Sequence, residues 1–172
     1  GLGPMRWMWI DRVVELVPRE KLVAIKNVSL AEEHLHDHFA ATADRPALPV
    51  MPGSLVVEGM AQTAGILVGH AEGFREKVIL AKVSKATLER DATPGCQIRH
   101  TAQIRSLTDQ GASTLGTVEL RPAGADEFET IGRIDLIFSH LDKNTAGVEY
   151  PEHNFVFGEG FKTLLRTSGI EF

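Results

Sequence analysis

The chain has 172 residues, 43% of them apolar and 24% charged, a range in which one domain can build a core that needs no staples. Its formal net charge is −5, with Lys and Arg scattered along the chain, so it lacks the basic footprint that neutralises nucleic-acid phosphates. Cys96, the one cysteine, excludes an intramolecular disulfide and fits a reducing cytoplasm, which is the expected location.

Gly1 to Pro4 read as a cloning remnant ahead of Met5, and no secretory signal pattern opens the chain. Arg12–Val17 and residues 22–29 are rich in β-branched and apolar side chains and flank Pro18-Arg19-Glu20, which predicts an N-terminal hairpin. A polar stretch with His34, His36 and His38 follows, then a proline-containing loop. Residues 54–70 contain no proline and are apolar on nearly every side, the mark of a helix enclosed by other structure. Glu58, Gln62 and Thr63 interrupt the apolar run of 53–68, and a charge at mid-membrane is costly, so this is a buried helix and no membrane span is expected. Gly73 is placed to end it.

Beyond the helix the pattern is that of strands. Ile98, His100, Ala102 and Ile104 alternate with Arg99, Thr101, Gln103 and Arg105, as Ile134, Leu136 and Phe138 do with Arg133 and Asp135. Thr93-Pro94-Gly95, Asp109-Gln110-Gly111 and Pro122-Ala123-Gly124 supply turns at meander intervals. The expected fold is α+β: a curved antiparallel sheet of about six strands wrapped around one long central helix, the hot-dog arrangement. The domain is drawn over 5–142. Residues 143–172 form a C-terminal extension whose Phe155, Phe157, Phe161, Leu164 and Leu165 are apolar enough to pack on the domain or on a dimer.

Pro49-Val50-Met51-Pro52-Gly53 leads straight into the helix, four residues precede Glu58, and Gln62 follows one turn later. His38-Phe39 stands upstream, Ile10-Asp11-Arg12-Val13 opens the hairpin, and Pro94-Gly95-Cys96-Gln97-Ile98 forms a later turn. Together these resemble the β-hydroxyacyl-acyl-carrier-protein dehydratases of the FabZ and FabA type, whose block reads HFPGxPxMPG, four residues, then Glu or Asp. The resemblance spans roughly residues 7–141. It implies a hydro-lyase of fatty-acid or related biosynthesis that needs no cofactor, with His38 and Glu58 as catalytic pair and Phe39, Met51 and Pro52 in support. It also implies a homodimer, in some cases a trimer of dimers, in which the histidine of one subunit faces the carboxylate of the other.

The chemistry fits these residue types. Dehydrating a β-hydroxyacyl thioester requires removal of an α-proton, stabilisation of charge on the thioester oxygen, and protonation of a leaving hydroxide. An imidazole such as His38 titrates near neutrality and suits the first task. The Gly53 N–H at the helix start, with the positive end of the dipole, suits the second. A carboxyl among apolar neighbours has a raised pKa and suits the third, which points to Glu58. Gln62, four residues on, either orients Glu58 or its water, or bonds to the sheet.

Two features set the chain apart from the pattern. Nine residues, 40–48, stand between Phe39 and Pro49 where the family motif has three; they either bulge outward as a rim or displace His38, and the intact flanks favour the rim. Three alternating histidines at 34, 36 and 38 would share one face of a strand and raise a metal site as a rival, yet no distant ligand cluster completes a set, so no metal is expected. An acidic carrier protein would call for a basic rim, for which Lys82, Lys85, Arg90, Arg99 and Arg105 are candidates, with a solvated sheet face as the ordinary alternative. The competing functions are another thioester activity on the same fold, hydrolysis or hydration, and a non-catalytic carrier-binding subunit.

Overall fold

The computed structural model describes residues 8–37, 41–75, 77–141 and 159–172. The hairpin predicted from the first apolar runs is present as β1 (Arg12–Val17) and β2 (Lys21–Asn27). A five-residue helix, α1 (Glu33–Asp37), precedes the long α2 (Gly53–Ala71). Four strands follow, β3 (Lys77–Leu88), β4 (Gln97–Leu107), β5 (Gly111–Arg121) and β6 (Glu129–Leu141), and then a short α3 (Glu159–Thr167). All six strands join one antiparallel sheet in the order β1-β2-β4-β5-β6-β3. Five of them, β2 to β6, contact α2. This is the hot-dog arrangement: the helix lies in a sheet whose bulges, between Val13 and Glu15, Leu80 and Lys82, and Ile104 and Ser106 among others, let it bend.

Alternation decides which side chains meet the helix. Leu22 and Ala24 on β2, Ile98, His100 and Ala102 on β4, Val118 and Leu120 on β5, and Ile134, Leu136 and Phe138 on β6 are all buried. The helix in turn buries every residue from 59 to 69. Each large apolar side chain among them, such as Met60, Ile66 or Leu67, contributes about 1.5–3 kcal/mol through its burial. Met60 lies so close to the sheet that a Cβ on Gly116 would sit 2.8 Å from its sulfur, so β5 needs a glycine there.

The helix ends as the sequence predicts. Gly73 takes φ of 63°, its N–H donates to the His70 carbonyl, and the Phe74 N–H donates to the Gly69 carbonyl, the bonding of a Schellman cap. The two edges of the sheet differ. At β1, α3 packs alongside, Leu164 and Leu165 are buried, and the Val13 N–H donates to Ser168 Oγ at 3.0 Å. At β3, residues 81–87 are all exposed.

One expectation is corrected. The histidine-rich segment is helical over Glu33–Asp37, so His34 and His36 do not share a strand face. Residues two apart on a helix stand about 200° apart around its axis. Among the described residues no helix is long and apolar enough to cross a membrane.

Candidate functional site

Glu58 lies on α2 where cover by the rest of the chain becomes complete: Gly53 and Ser54 are exposed, Glu58 is half-buried, and everything from Gly59 to Gly69 is buried. Burial pushes its carboxyl above the ordinary carboxylate range, and a hydrogen bond from Gln62 Nε2 to Glu58 Oε1, 3.4 Å long, pulls part of that shift back. Gln62 is only 2% exposed, and its Oε1 accepts the Trp9 N–H at 2.8 Å. The amide is thereby oriented: with its oxygen committed to Trp9, its nitrogen faces the carboxyl. One end of the amide thus meets Glu58, and the other accepts from Trp9, which precedes β1 and is not itself in the sheet.

Five residues earlier, the helix begins at Gly53 behind Pro52, which takes φ of −55° and ψ of 135° and supplies no side-chain cap. The Pro52 carbonyl accepts the Leu55 N–H at 2.9 Å and the Val56 N–H at 3.3 Å. The N–H groups of Gly53 and Ser54 have no partner among the described residues, as expected of a helix start, and both residues are exposed. Met51 anchors this start from below; it is 2% exposed, and its N–H donates to the Ala92 carbonyl at 2.8 Å. A Cβ on Gly53 would meet nothing closer than Leu88 Cδ1 at 3.5 Å, so the chain itself does not demand glycine there. Two free donors and the positive end of a helix thus face outward near a carboxyl of raised pKa.

His38 and Phe39 lie outside the described residues, as does the first residue of the insertion, and the side chain of His36 is likewise outside them. The remainder of the insertion, 41–48, is exposed throughout, with Thr42 and Arg45 bonded across a tight turn. His34 Nε2 lies 3.3 Å from Glu32 Oε2, and its ring meets the Trp9 ring edge-on, with centroids 5.1 Å apart. Among the described residues no group of three or more His, Cys, Asp or Glu is placed to hold a metal.

The basic candidates are not brought together. Lys82 and Lys85 lie on β3 at one edge, and Arg99 and Arg105 on β4, with β6 and β5 between them. Although consecutive in the chain, β3 and β4 are not neighbours, because β5 and β6 lie between them in the sheet. Arg99 is committed to Glu119 through bonds of 2.7 and 3.0 Å and lies 4.0 Å over the Phe128 ring, while Arg90 pairs with Glu129 at 2.7 Å.

Sequence reading did not single out three residues that bury or bond polar groups: His100, Lys26 and Trp9. His100 is fully buried, and neither ring nitrogen has a hydrogen-bond partner among the described residues; a Cβ on Gly59, the residue after Glu58, would lie 2.7 Å from its Nε2. Its place in the inward register of β4 was the available signal. Lys26 is 4% exposed, paired with Glu32 and 3.7 Å from Asp11. Trp9, 53 residues from Gln62 in sequence, gave no local signal at all.

A family model for the FabA-like domain matches residues 3–123. Among curated proteins, the 3-hydroxyacyl-acyl-carrier-protein dehydratase FabZ of Alkalilimnicola ehrlichii is 40% identical over 102 residues, covering 57% of this chain and 62% of the relative. FabZ of Acidiphilium cryptum is 41% identical over 104 residues, 58% of this chain and 59% of the relative. FabZ of Halorhodospira halophila is 37% identical over 114 residues, 63% of this chain and 71% of the relative. The first two are thus matched over about three fifths of their length. Among solved structures, a dehydratase heterocomplex from Xenorhabdus doucetiae superposes with a TM-score of 0.57 at 16% identity, covering 80% of this chain and 85% of that one. An acyl-CoA hydrolase from Staphylococcus aureus gives 0.56 at 13% identity, with 72% and 66% covered. At such identities the structural likeness concerns the fold alone.

Proposed function

We propose that this chain, which belongs to the FabA-like domain family, removes water from β-hydroxyacyl thioesters held on acyl carrier protein, yielding trans-2-enoyl thioesters for fatty-acid or related biosynthesis. The observation that carries this reading is Glu58, a carboxyl whose pKa is raised by burial, on the same helix as a start whose first two N–H groups have no partner among the described residues. In the proposed mechanism the neutral imidazole of His38 takes the α-proton, and the electron pair moves onto the thioester oxygen. The N–H groups of Gly53 and Ser54 hold that oxygen, a contribution of about 2.7–4 kcal/mol per donor in comparable sites. The electrons return, the bond from the β-carbon to its hydroxyl breaks, and protonated Glu58 gives its proton to the departing hydroxide, forming water. The proton gained by His38 and the one lost by Glu58 balance through solvent. No cofactor enters.

The working unit is proposed to be a homodimer in the cytoplasm. The bare β3 edge supports this, since an open row of unpaired backbone groups favours pairing with a second copy. Lys82 and Lys85 on that strand, with Arg105 on β4, remain candidates for contact with the acidic carrier, whereas Arg99 and Arg90 already have acidic partners.

Intact-mass spectrometry of carrier-bound β-hydroxyacyl and enoyl substrates tests the activity directly. Gain or loss of one water in both directions is the expected result. Release of free acid would assign hydrolysis instead, and unchanged substrate with retained binding would assign a scaffold. For the shared site, mixing His38→Ala with Glu58→Gln chains is expected to restore activity through one intact site per heterodimer. No recovery after verified exchange would place both groups in the same subunit.

A further inference from the structure

Between the two arms of the proposed site runs a line of polar and aromatic contacts that the reaction itself does not call for. Gln62 Oε1 accepts the Trp9 N–H at 2.8 Å, and Gln62 Nε2 donates to Glu58. The carbonyl of the same Trp9 lies against the helix, 3.0 Å from where a Gly59 Cβ would be. Both the N–H and the carbonyl of Trp9 thus lie against α2. The indole extends the other way and meets the His34 ring on α1 at 5.1 Å and 76°. His34 Nε2 lies 3.3 Å from Glu32 Oε2, Glu32 pairs with the buried Lys26, and Lys26 lies 3.7 Å from Asp11. α1 ends at Asp37, immediately before His38.

An amide can present either its nitrogen or its oxygen to a neighbour, and the two choices favour opposite states of a carboxyl. Nitrogen donates to the carboxylate; oxygen accepts from the neutral acid. Nothing in Gln62 itself selects between them. The Trp9 N–H at the far end is a donor, so it calls for the oxygen and leaves the nitrogen to face Glu58.

We propose that Trp9 is a positioning residue for Glu58: its backbone N–H fixes which end of the Gln62 amide meets the carboxyl, and its ring, docked on His34, ties that choice to the arm leading to His38. The proposal rests on the reading of Glu58 as the proton donor, and its test is chosen to be separable from that reading. Trp9→Leu removes the ring contact, Trp9→Phe retains an aromatic surface, and His34→Leu removes the contact from the other side. The readout is the titration of the Glu58 carboxyl, followed by its side-chain carbonyl carbon resonance and assigned by its disappearance in Glu58→Gln. Burial and the Gln62 hydrogen bond are the causes of the Glu58 shift, so Gln62 is the polar influence being altered.

Loosening Trp9 is expected to weaken donation from Gln62 and move the Glu58 titration to higher pH in Trp9→Leu and His34→Leu, with Trp9→Phe close to wild type. In the Gln62→Met background, where the amide is gone, Trp9→Leu is expected to move it no further, the non-additivity of residues acting through one another. Turnover should fall on the order of 10-fold with KM little changed, less than the 10²-fold that a 1 Å misplacement can cause. An unmoved titration in folded Trp9→Leu and His34→Leu, or full additivity with Gln62→Met, would overturn the proposal. If instead Glu58→Gln keeps wild-type turnover while the titration moves as described, the reading of Glu58 as donor fails and the positioning by Trp9 stands.

Discussion

The two halves of α2 are built from one continuous apolar stretch, yet they do different work. From Gly59 to Gly69 every residue is buried, and the side chains meet β2 to β6 as core. From Gly53 to Glu58 only Val56 is buried, and the segment carries a half-buried carboxyl and two exposed residues whose N–H groups have no partner among the described residues. A carboxyl needs burial to keep its proton near neutrality and access to deliver it. Two or three residues further along, Glu58 would have the first without the second; at Gly53 it would have the second without the first. The proposed function places the reaction where the cover of the helix is incomplete.

That contrast predicts opposite responses to substitution in the two halves. Glu58→Gln is expected to lower turnover by about 10²- to 10⁴-fold, the usual worth of a positioned proton-transfer group, while its urea unfolding midpoint stays at the wild-type value. Leu67→Ala, in the fully buried half, is expected to cost about 2–5 kcal/mol of stability and leave turnover per folded molecule unchanged. Paired unfolding curves and kinetics on the two variants measure this. If Glu58→Gln unfolds easily and retains its rate when folded, the carboxyl belongs to the structural half and the contrast is lost.

Much of this was legible because it is local. The first strand was read from residue types at its observed bounds, Arg12–Val17, and the helix to within a residue at each end, Gly53–Ala71 against 54–70. Glu58, Gln62 and Gly53 stood out because a polar group in an apolar run, or a glycine at a helix start, is conspicuous in sequence. α1 was not legible: Leu35 is its one buried residue among those whose side chains are described, so no apolar period marks it. Strand order escaped as well, because alternation tells which face a residue takes but not which strand lies beside it. Lys82 and Lys85 could therefore be imagined near Arg99 when the width of two strands separates them. Trp9 is the extreme case, since it acts through a backbone N–H that every residue but proline has.

His100 stands at the boundary between the halves and gives the smallest and most specific of the expected effects. Its ring lies against Gly59, it is fully buried, neither nitrogen has a hydrogen-bond partner among the described residues, and burial lowers its pKa from 6.5 to about 3. The unfolded chain takes up a proton at this residue as pH falls through about 6.5, whereas the folded chain resists until about 3. Between those values the unfolded state binds more protons, so stability contributed by the neutral ring is complete above 6.5 and is lost as pH falls. Glu58 works in the other direction: its folded pKa is raised, so it favours the folded state as pH falls toward and below 4.5. A single wild-type curve therefore mixes the two, and the comparison has to be made with His100→Leu, which keeps Glu58 and removes only the imidazole. Taking the full shift of His100, wild type should lose about 2 kcal/mol more than His100→Leu between pH 7.5 and pH 5.0, read from urea unfolding at each pH. At pH 7.5 the variant should be close to wild type or better, since it also removes two buried nitrogens without partners, offset by the fit of a branched side chain against Gly59. Equal losses in the two proteins would mean that the imidazole finds a partner or a proton in the folded state, and that the buried half of the helix is more open to solvent at Gly59 than its packing implies.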